Sequence, residues 1–251
     1  MTDYIKTERK GRVLTIALNR PDKMNALTHD MYAAMADGLD RATEDSGIRA
    51  VMFHAHGDVF TAGNDLKDFA AGMPEGTPPV VRFLETLRDF EKPVLAAVGG
   101  PAIGVGVTML LHCDLSFAGE AATFRAPFAH IGLVPEAGSS LLMPQAMGTA
   151  FANDMLLAGR TLTAPEALQA GLVSRVFTTE DLIEKTLAVA TDISRQAPTA
   201  MKHSKALIRT GREAVAQQMK RESVHFNAQL RSDEFAEAMA ATMEKRAPAF
   251  A

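Results

Sequence analysis

Apolar and polar positions alternate from the beginning of the chain. Val13, Thr15 and Ala17 oppose Leu14, Ile16 and Leu18, and with residues 4–9 before a Lys10-Gly11 turn the spacing predicts a β-hairpin. The period then lengthens. Met31, Met35, Leu39 and Ala42 fall on one helical face, and Thr28 is placed to cap a helix that runs to about Asp45. Further strands are predicted at residues 50–54, 94–98, 115–118 and 173–177. Between them the pattern predicts a short helix at 65–71, a Gly/Pro-rich surface loop at 72–79 and a helix ending near Phe90. A buried helix opens at 107–112, apolar on every side. Another follows the capping box Thr163-Ala164-Pro165-Glu166 and ends at Gly171. Strands alternating with helices indicate βαβ units, hence an α/β fold with a mostly parallel sheet. From Glu180 onward the pattern is helical only, and Gln196-Ala197-Pro198 interrupts it. The expected organisation is a core over residues 1–195 and a C-terminal helical subdomain over 196–251.

Composition narrows the function without naming it. The 251 residues are 47% hydrophobic and 22% charged, with a net charge of -4 spread along the chain. That leaves no basic footprint for nucleic acid or an anionic membrane. The single cysteine, Cys113, excludes an internal disulfide and a Cys-rich zinc site and suits a reducing compartment, so the expected location is cytoplasmic. No signal-peptide pattern or apolar run long enough to span a bilayer is expected. His54-Ala55-His56 places two imidazoles at alternate positions but offers no third ligand, so no metal site is expected. His112-Cys113-Asp114 is not a relay, because neighbours on a helix point about 100° apart.

Three segments carry candidate chemistry. In Phe60-Thr61-Ala62-Gly63-Asn64-Asp65-Leu66, Gly63 permits a tight turn whose N–H groups converge on an anion; an ordinary loop with an Asp cap reads equally well. In Gly99-Gly100-Pro101-Ala102-Ile103-Gly104-Val105-Gly106, a glycine-rich turn opens the buried helix and leaves amides free at its N-terminus. It is not a dinucleotide fingerprint, since the third glycine and the following acid are missing. In Gly132-Leu133-Val134-Pro135-Glu136-Ala137-Gly138-Ser139-Ser140, an acid precedes another helix, where it serves either as a helix-start charge or as a base.

Together with Leu18-Asn19-Arg20-Pro21, Met24-Asn25-Ala26-Leu27 and the closing Met243-Glu244-Lys245-Arg246-Ala247-Pro248-Ala249-Phe250, these segments resemble the crotonase (enoyl-CoA hydratase/isomerase) superfamily over nearly the whole chain. The resemblance implies a crotonase-like spiral of ββα turns with a C-terminal helical trimerisation region. It also implies a homotrimer or dimer of trimers, and an acyl-CoA substrate whose coenzyme A is part of the substrate, with no separate cofactor. By the same resemblance the N–H groups of Asn64 and Val105 form an oxyanion hole. Met24, Ala26, Ala62, Asp65 and Leu66 line the adenine and pantetheine, and Lys67, with Lys245 from a neighbouring subunit, meets the phosphates. Solvated surface charge is the alternative for both lysines. Val105 stands where relatives commonly have glycine, which is expected to add bulk near the thioester.

Hydration requires a base for water and a proton donor, roles that the resembling hydratases give to two glutamates. Thr108 and Phe128 occupy those positions here. Glu136 remains, in a Pro-Glu-x-x-Ser-Ser arrangement like that of peroxisomal-type Δ3,Δ2-enoyl-CoA isomerases. Double-bond migration needs one base, with its proton affinity raised by apolar neighbours such as Leu133, Val134, Leu141 and Leu142. Isomerisation through Glu136 is therefore expected. Thioester hydrolysis, residual hydration, or acyl-CoA binding without catalysis are the alternatives.

Overall fold

The computed structural model describes residues 2–65, 68 and 76–250. Leu66 and Lys67 lie outside the described residues, as do most of the helix expected at 65–71 and half of the following loop.

The hairpin forms as the alternation dictates. β1 (Ile5–Lys10) pairs antiparallel with β2 (Val13–Leu18), with Gly11 at φ 62° in the turn. Helix α1 (His29–Glu44) follows, its Thr28 hydroxyl accepting the Met31 N–H at 3.3 Å. Then come β3 (Ala50–Ala55), α2 (Pro79–Asp89), β4 (Val94–Val98) and the two-residue β5 (Ala102–Ile103). The helix expected at 107–112 begins two residues earlier. α3 (Val105–Thr108) is one α-turn that tightens into a 3-10 turn over Met109–His112. β6 (Leu115–Gly119) and β7 (Thr123–Arg125) lead to α4 (Ser139–Leu156), which breaks helical geometry at Gly148. β8 (Leu162–Thr163), α5 (Ala164–Ala170) behind its capping box, and β9 (Arg175–Phe177) complete the alternating part.

The main sheet runs β1-β2-β3-β4-β6-β9, antiparallel only at the hairpin. β5, β7 and β8 form a second, small sheet. Because both faces of the main sheet are covered, β2 and β4 are buried along their whole length. The period-2 pattern sorts its side chains. Leu14, Ile16, Leu18, Val51 and Phe53 face the large core under α1 and α2, while Val13, Met52, Leu95 and Phe117 face α6 (Leu182–Ser194) through Leu182 and Ala190. Phe83 of α2 sits edge-on to Phe53 at 6.0 Å and beside Tyr32 of α1 at 5.8 Å. All three are buried, each such side chain contributing about 1.5–3 kcal/mol, so α1 is held in a fixed rotation.

The helical tail is α7 (Pro198–Ile208), α8 (Arg212–Gln229) and α9 (Asp233–Glu244). Lys205 anchors α7 by donating to Asp114 Oδ2 and to the Lys92 carbonyl, both at 2.7 Å. α8 and α9 then turn back onto the main core, where Met219, Phe226, Leu230 and Phe235 pack. No helix among the described residues is long and apolar enough to cross a membrane.

Candidate active site

β3 and β4 are parallel neighbours, so the segments leaving their carboxyl ends start side by side. They stay paired. The Thr61 N–H donates to the Pro101 carbonyl (3.1 Å) and the Ile103 N–H to the Thr61 carbonyl (3.0 Å), a parallel bridge between Thr61 and Ala102. Asn64 and Val105 each follow this bridged pair by three residues. Both segments turn at the glycine just before, Gly63 at φ 91° and Gly104 at φ 57°, where side-chain-bearing residues are strained. At Gly63 space matters too, since a Cβ would stand 3.1 Å from the Ile103 carbonyl oxygen.

The first turn is fixed from its other side by residues 24–27. The Ala62 N–H reaches the Met24 carbonyl (2.9 Å), the Leu27 N–H the Gly63 carbonyl (2.8 Å) and the Asp65 N–H the Leu27 carbonyl (2.9 Å). Residues 63 and 65 bond toward Leu27, so the amide of Asn64 between them points the opposite way. In the second turn the Gly104 carbonyl accepts from Val107 and Thr108 (2.9 and 3.1 Å), leaving Val105 in the first turn of α3. Among the described residues neither the Asn64 nor the Val105 N–H has a hydrogen-bond partner.

Buried Asn25 locks this arrangement. Its side chain accepts the Arg20 N–H (2.7 Å) and donates to the His56 and Val59 carbonyls (2.9 and 2.7 Å). The Asn64 side-chain oxygen accepts from the Tyr32 hydroxyl at 2.5 Å. Burial and the nearby Glu136 charge push the Tyr32 pKa well up, so the phenol stays a donor.

Glu136 comes from a third turn, in which Ala137 (φ 59°) and Gly138 (φ 73°) are both left-handed. Strain at the alanine is of the order of 1–3 kcal/mol. Three contacts hold the turn. The ring of buried His112 bonds the Ala137 carbonyl at 2.7 Å, the Thr108 hydroxyl donates to the Glu136 carboxylate, and Glu222 of α8 accepts the Gly138 and Ser140 N–H groups at 2.6 and 3.0 Å. The Glu136 pKa rises to about 7 through burial, with the Thr108 hydrogen bond opposing and the Glu222 charge adding to the rise. Burial takes His112 down to about 4, so its ring is neutral.

Glu136 and Asn64 share a cavity of about 260 Å³ whose apolar wall is Val80, Val81 and Leu84 of α2 with Met219 and Phe226 of α8. The wall expected around Glu136 was Leu133, Val134, Leu141 and Leu142. The apolar lining comes instead from two helices distant in sequence. Glu85 and Glu222 line the same cavity, so Glu136 is not its sole acid.

The other expected residues are distributed as follows. Val105 is 2% exposed and packs in the main core, so it adds no bulk at the mouth of the turn. Phe128 is buried likewise. Met24 is exposed, with Ala26 and Ala62 half-buried beside it. The Asp65 carboxylate is engaged by Arg20 at 2.6 Å in a largely buried pair, so it serves the turn's architecture. Lys245 is exposed at the left-handed end of α9. His54 and His56 stack edge to face at 5.5 Å, and burial with its neighbour takes His54 to about 4. Cys113 is buried, which pushes its thiol up to about 12 and leaves it unreactive. Tyr32, Glu85 and Glu222 were missed in the sequence because each lies on a helix with no local motif around it.

The family model described as Enoyl-CoA hydratase/isomerase matches residues 8–251. The chain is 40% identical to Enoyl-CoA delta isomerase 2 of Rattus norvegicus over 207 residues, covering 80% of this chain and 53% of that protein. It thus spans about half the length of that relative. It is 34% identical to 2,3-dehydroadipyl-CoA hydratase of Escherichia coli (strain K12) over 248 residues, 96% of each. Among solved structures, an enoyl-CoA hydratase/isomerase from Pseudoalteromonas atlantica T6c superposes with a TM-score of 0.97 at 54% identity, over 99% of this chain and 100% of that one.

Proposed function

Since the chain belongs to the enoyl-CoA hydratase/isomerase family, we propose that it moves the double bond of a 3-enoyl-CoA to the 2-position, with Glu136 as the single proton shuttle. One observation carries this reading: a carboxylate with its pKa near 7 lies on the wall of an apolar cavity that also holds Asn64. Ionised Glu136 takes a proton from C2. The thioester oxygen gathers the negative charge of the dienolate, facing the N–H groups of Asn64 and Val105. Glu136 then returns the proton at C4, and the double bond ends conjugated with the carbonyl. A pKa near 7 suits both halves, because the group must accept and release a proton in one turnover. Each amide contributes about 3–4 kcal/mol to stabilising the enolate by analogy with single-donor removals. Apolar side chains of α2 and α8 would receive the acyl chain. Met24, Ala26 and Ala62, with Leu66 and Lys67 after Asp65, would border the coenzyme A.

A second reading is favoured by Glu85, a half-buried residue of the same cavity whose carboxylate makes no hydrogen bond among the described residues. With Glu136 activating water and Glu85 supplying a proton, the same hole would support hydration. One experiment separates the two. Conversion of 3-enoyl-CoA, followed by the absorbance of the conjugated thioester, is expected in the wild type and lost in Glu136→Gln, with Glu85→Gln unaffected. Formation of 3-hydroxyacyl-CoA from 2-enoyl-CoA that depends on Glu85 would replace the isomerase reading with the hydratase one.

A further inference from the structure

Glu222 is 6% exposed and sits on α8, 86 positions along the chain from Glu136, yet the two carboxylates line one cavity. Both of its oxygens accept hydrogen bonds. Oε2 accepts the Gly138 N–H at 2.6 Å; Oε1 accepts the Ser140 N–H at 3.0 Å and the Ser140 hydroxyl. The Ser140 oxygen in turn accepts from Gln218 Nε2 at 2.9 Å, which directs its proton toward Glu222. We propose that Glu222 is a positioning residue for Glu136: it fastens the left-handed 136–140 turn and stands on the cavity wall as a fixed negative charge. The inference rests on Glu136 being the group that moves the proton.

Three donors face Glu222, two of them backbone N–H groups that cannot accept a proton in return, an arrangement that favours the carboxylate. Burial raises the Glu222 pKa above the ordinary glutamate value, and the three hydrogen bonds oppose that rise without cancelling it. With the donor geometry complete, the ionised form is the one the site accommodates. The turn it holds is costly by itself, since Ala137 is left-handed without being glycine. Two charge-assisted bonds to the backbone on its far side offset that cost and aim Glu136 at the cavity.

Other groups facing Glu136 do not replace this charge. Tyr32, from α1, is neutral; His112, behind the turn, is neutral and held by the Ala137 carbonyl; Thr108, from α3, does not titrate. Glu85 of α2 and Lys220 of α8 also line the cavity, and the charge that raises the Glu136 proton affinity is that of Glu222.

The test reads the Glu136 carboxyl directly, by carbon NMR of glutamate-labelled protein, with Glu136→Gln and Glu222→Gln supplying the assignments. In Glu222→Gln the Glu136 midpoint is expected to fall below about 7, and the acid limb of kcat/KM for a 3-enoyl-CoA to move to lower pH with it. Ser140→Ala removes one donor but keeps the charge, and is expected to leave the midpoint in place. An unchanged midpoint in Glu222→Gln overturns the inference, and so does an equal shift in both variants, which would trace the effect to the turn alone. Should Glu222→Gln fail to fold, the wild type decides, with Glu222→Asp supplying the assignment: Glu222 is expected to be ionised throughout the range in which Glu136 titrates. Finding it protonated there overturns the inference. If Glu136→Gln retains isomerisation, the proposed reaction fails while the carboxyl titration still decides the role of Glu222.

Discussion

Removing the Thr108 hydroxyl provides a calibrated test of the proton shuttle. Thr108 is fully buried, so valine fills its space, and what is lost is the donor to the Glu136 carboxylate. A hydrogen bond to a charged acceptor contributes about 1.5–3 kcal/mol and one to a neutral group about 0.5–1.5 kcal/mol, so the ionised form loses roughly 1–1.5 kcal/mol more than the protonated form. At 1.36 kcal/mol per pH unit, Thr108→Val should raise the Glu136 pKa from about 7 to about 8. The sign is fixed by the chemistry. Isomerisation begins from ionised Glu136, so kcat/KM falls as pH drops below the pKa, and a higher pKa moves that fall to higher pH. At pH 7 the ionised fraction drops from about one half to about one eleventh, roughly a fivefold loss of kcat/KM that is recovered by pH 9. The assay is the pH profile of kcat/KM with a 3-enoyl-CoA. An acid limb that stays put or moves to lower pH refutes the reasoning, as does a loss that is equal at pH 7 and pH 9.

Two further perturbations separate the geometry of the hole from the stability of its frame. Gly104→Ala meets no atom within 4 Å, but φ 57° with ψ -117° suits glycine alone; the strain, of the order of 1–3 kcal/mol, is expected to turn the Val105 amide away. The expected result is a fall in kcat of tenfold or more with acyl-CoA binding by calorimetry retained, and an unchanged kcat counts against Val105 as a donor. Asn25→Ala leaves one backbone N–H and two carbonyls without partners, a cost of about 3 kcal/mol or more that chemical denaturation should report; a loss under 1 kcal/mol means that water replaces the side chain.

Much of this was written in local patterns. Alternation from Val13 to Leu18 divided that strand into two faces, and the sheet sends Leu14, Ile16 and Leu18 to one core and Val13 to the other because a strand repeats every two residues. Gly63, Gly104 and Gly138 marked the three turns, since positive φ is a demand that a sequence shows directly. Asp65 and Val105 were less legible. Their side chains were expected at the substrate, yet one is paired with Arg20 and the other lies in the core, because the direction of a side chain depends on what packs around the turn.

By itself the sequence determined the family, the α/β alternation and the presence of one acid between a proline and small residues just before a helix, all set by short-range periodicity and local motifs. Only the tertiary structure decided what surrounds that acid. α2 and α8 supply the apolar wall, Thr108 and Glu222 shift the proton affinity of the carboxylate in opposite directions, and Tyr32 grips Asn64 across 32 positions of chain. The reason is physical. A pKa is set by desolvation and by charges that are close in space, and helices carrying no local signal bring those groups together only when the chain packs.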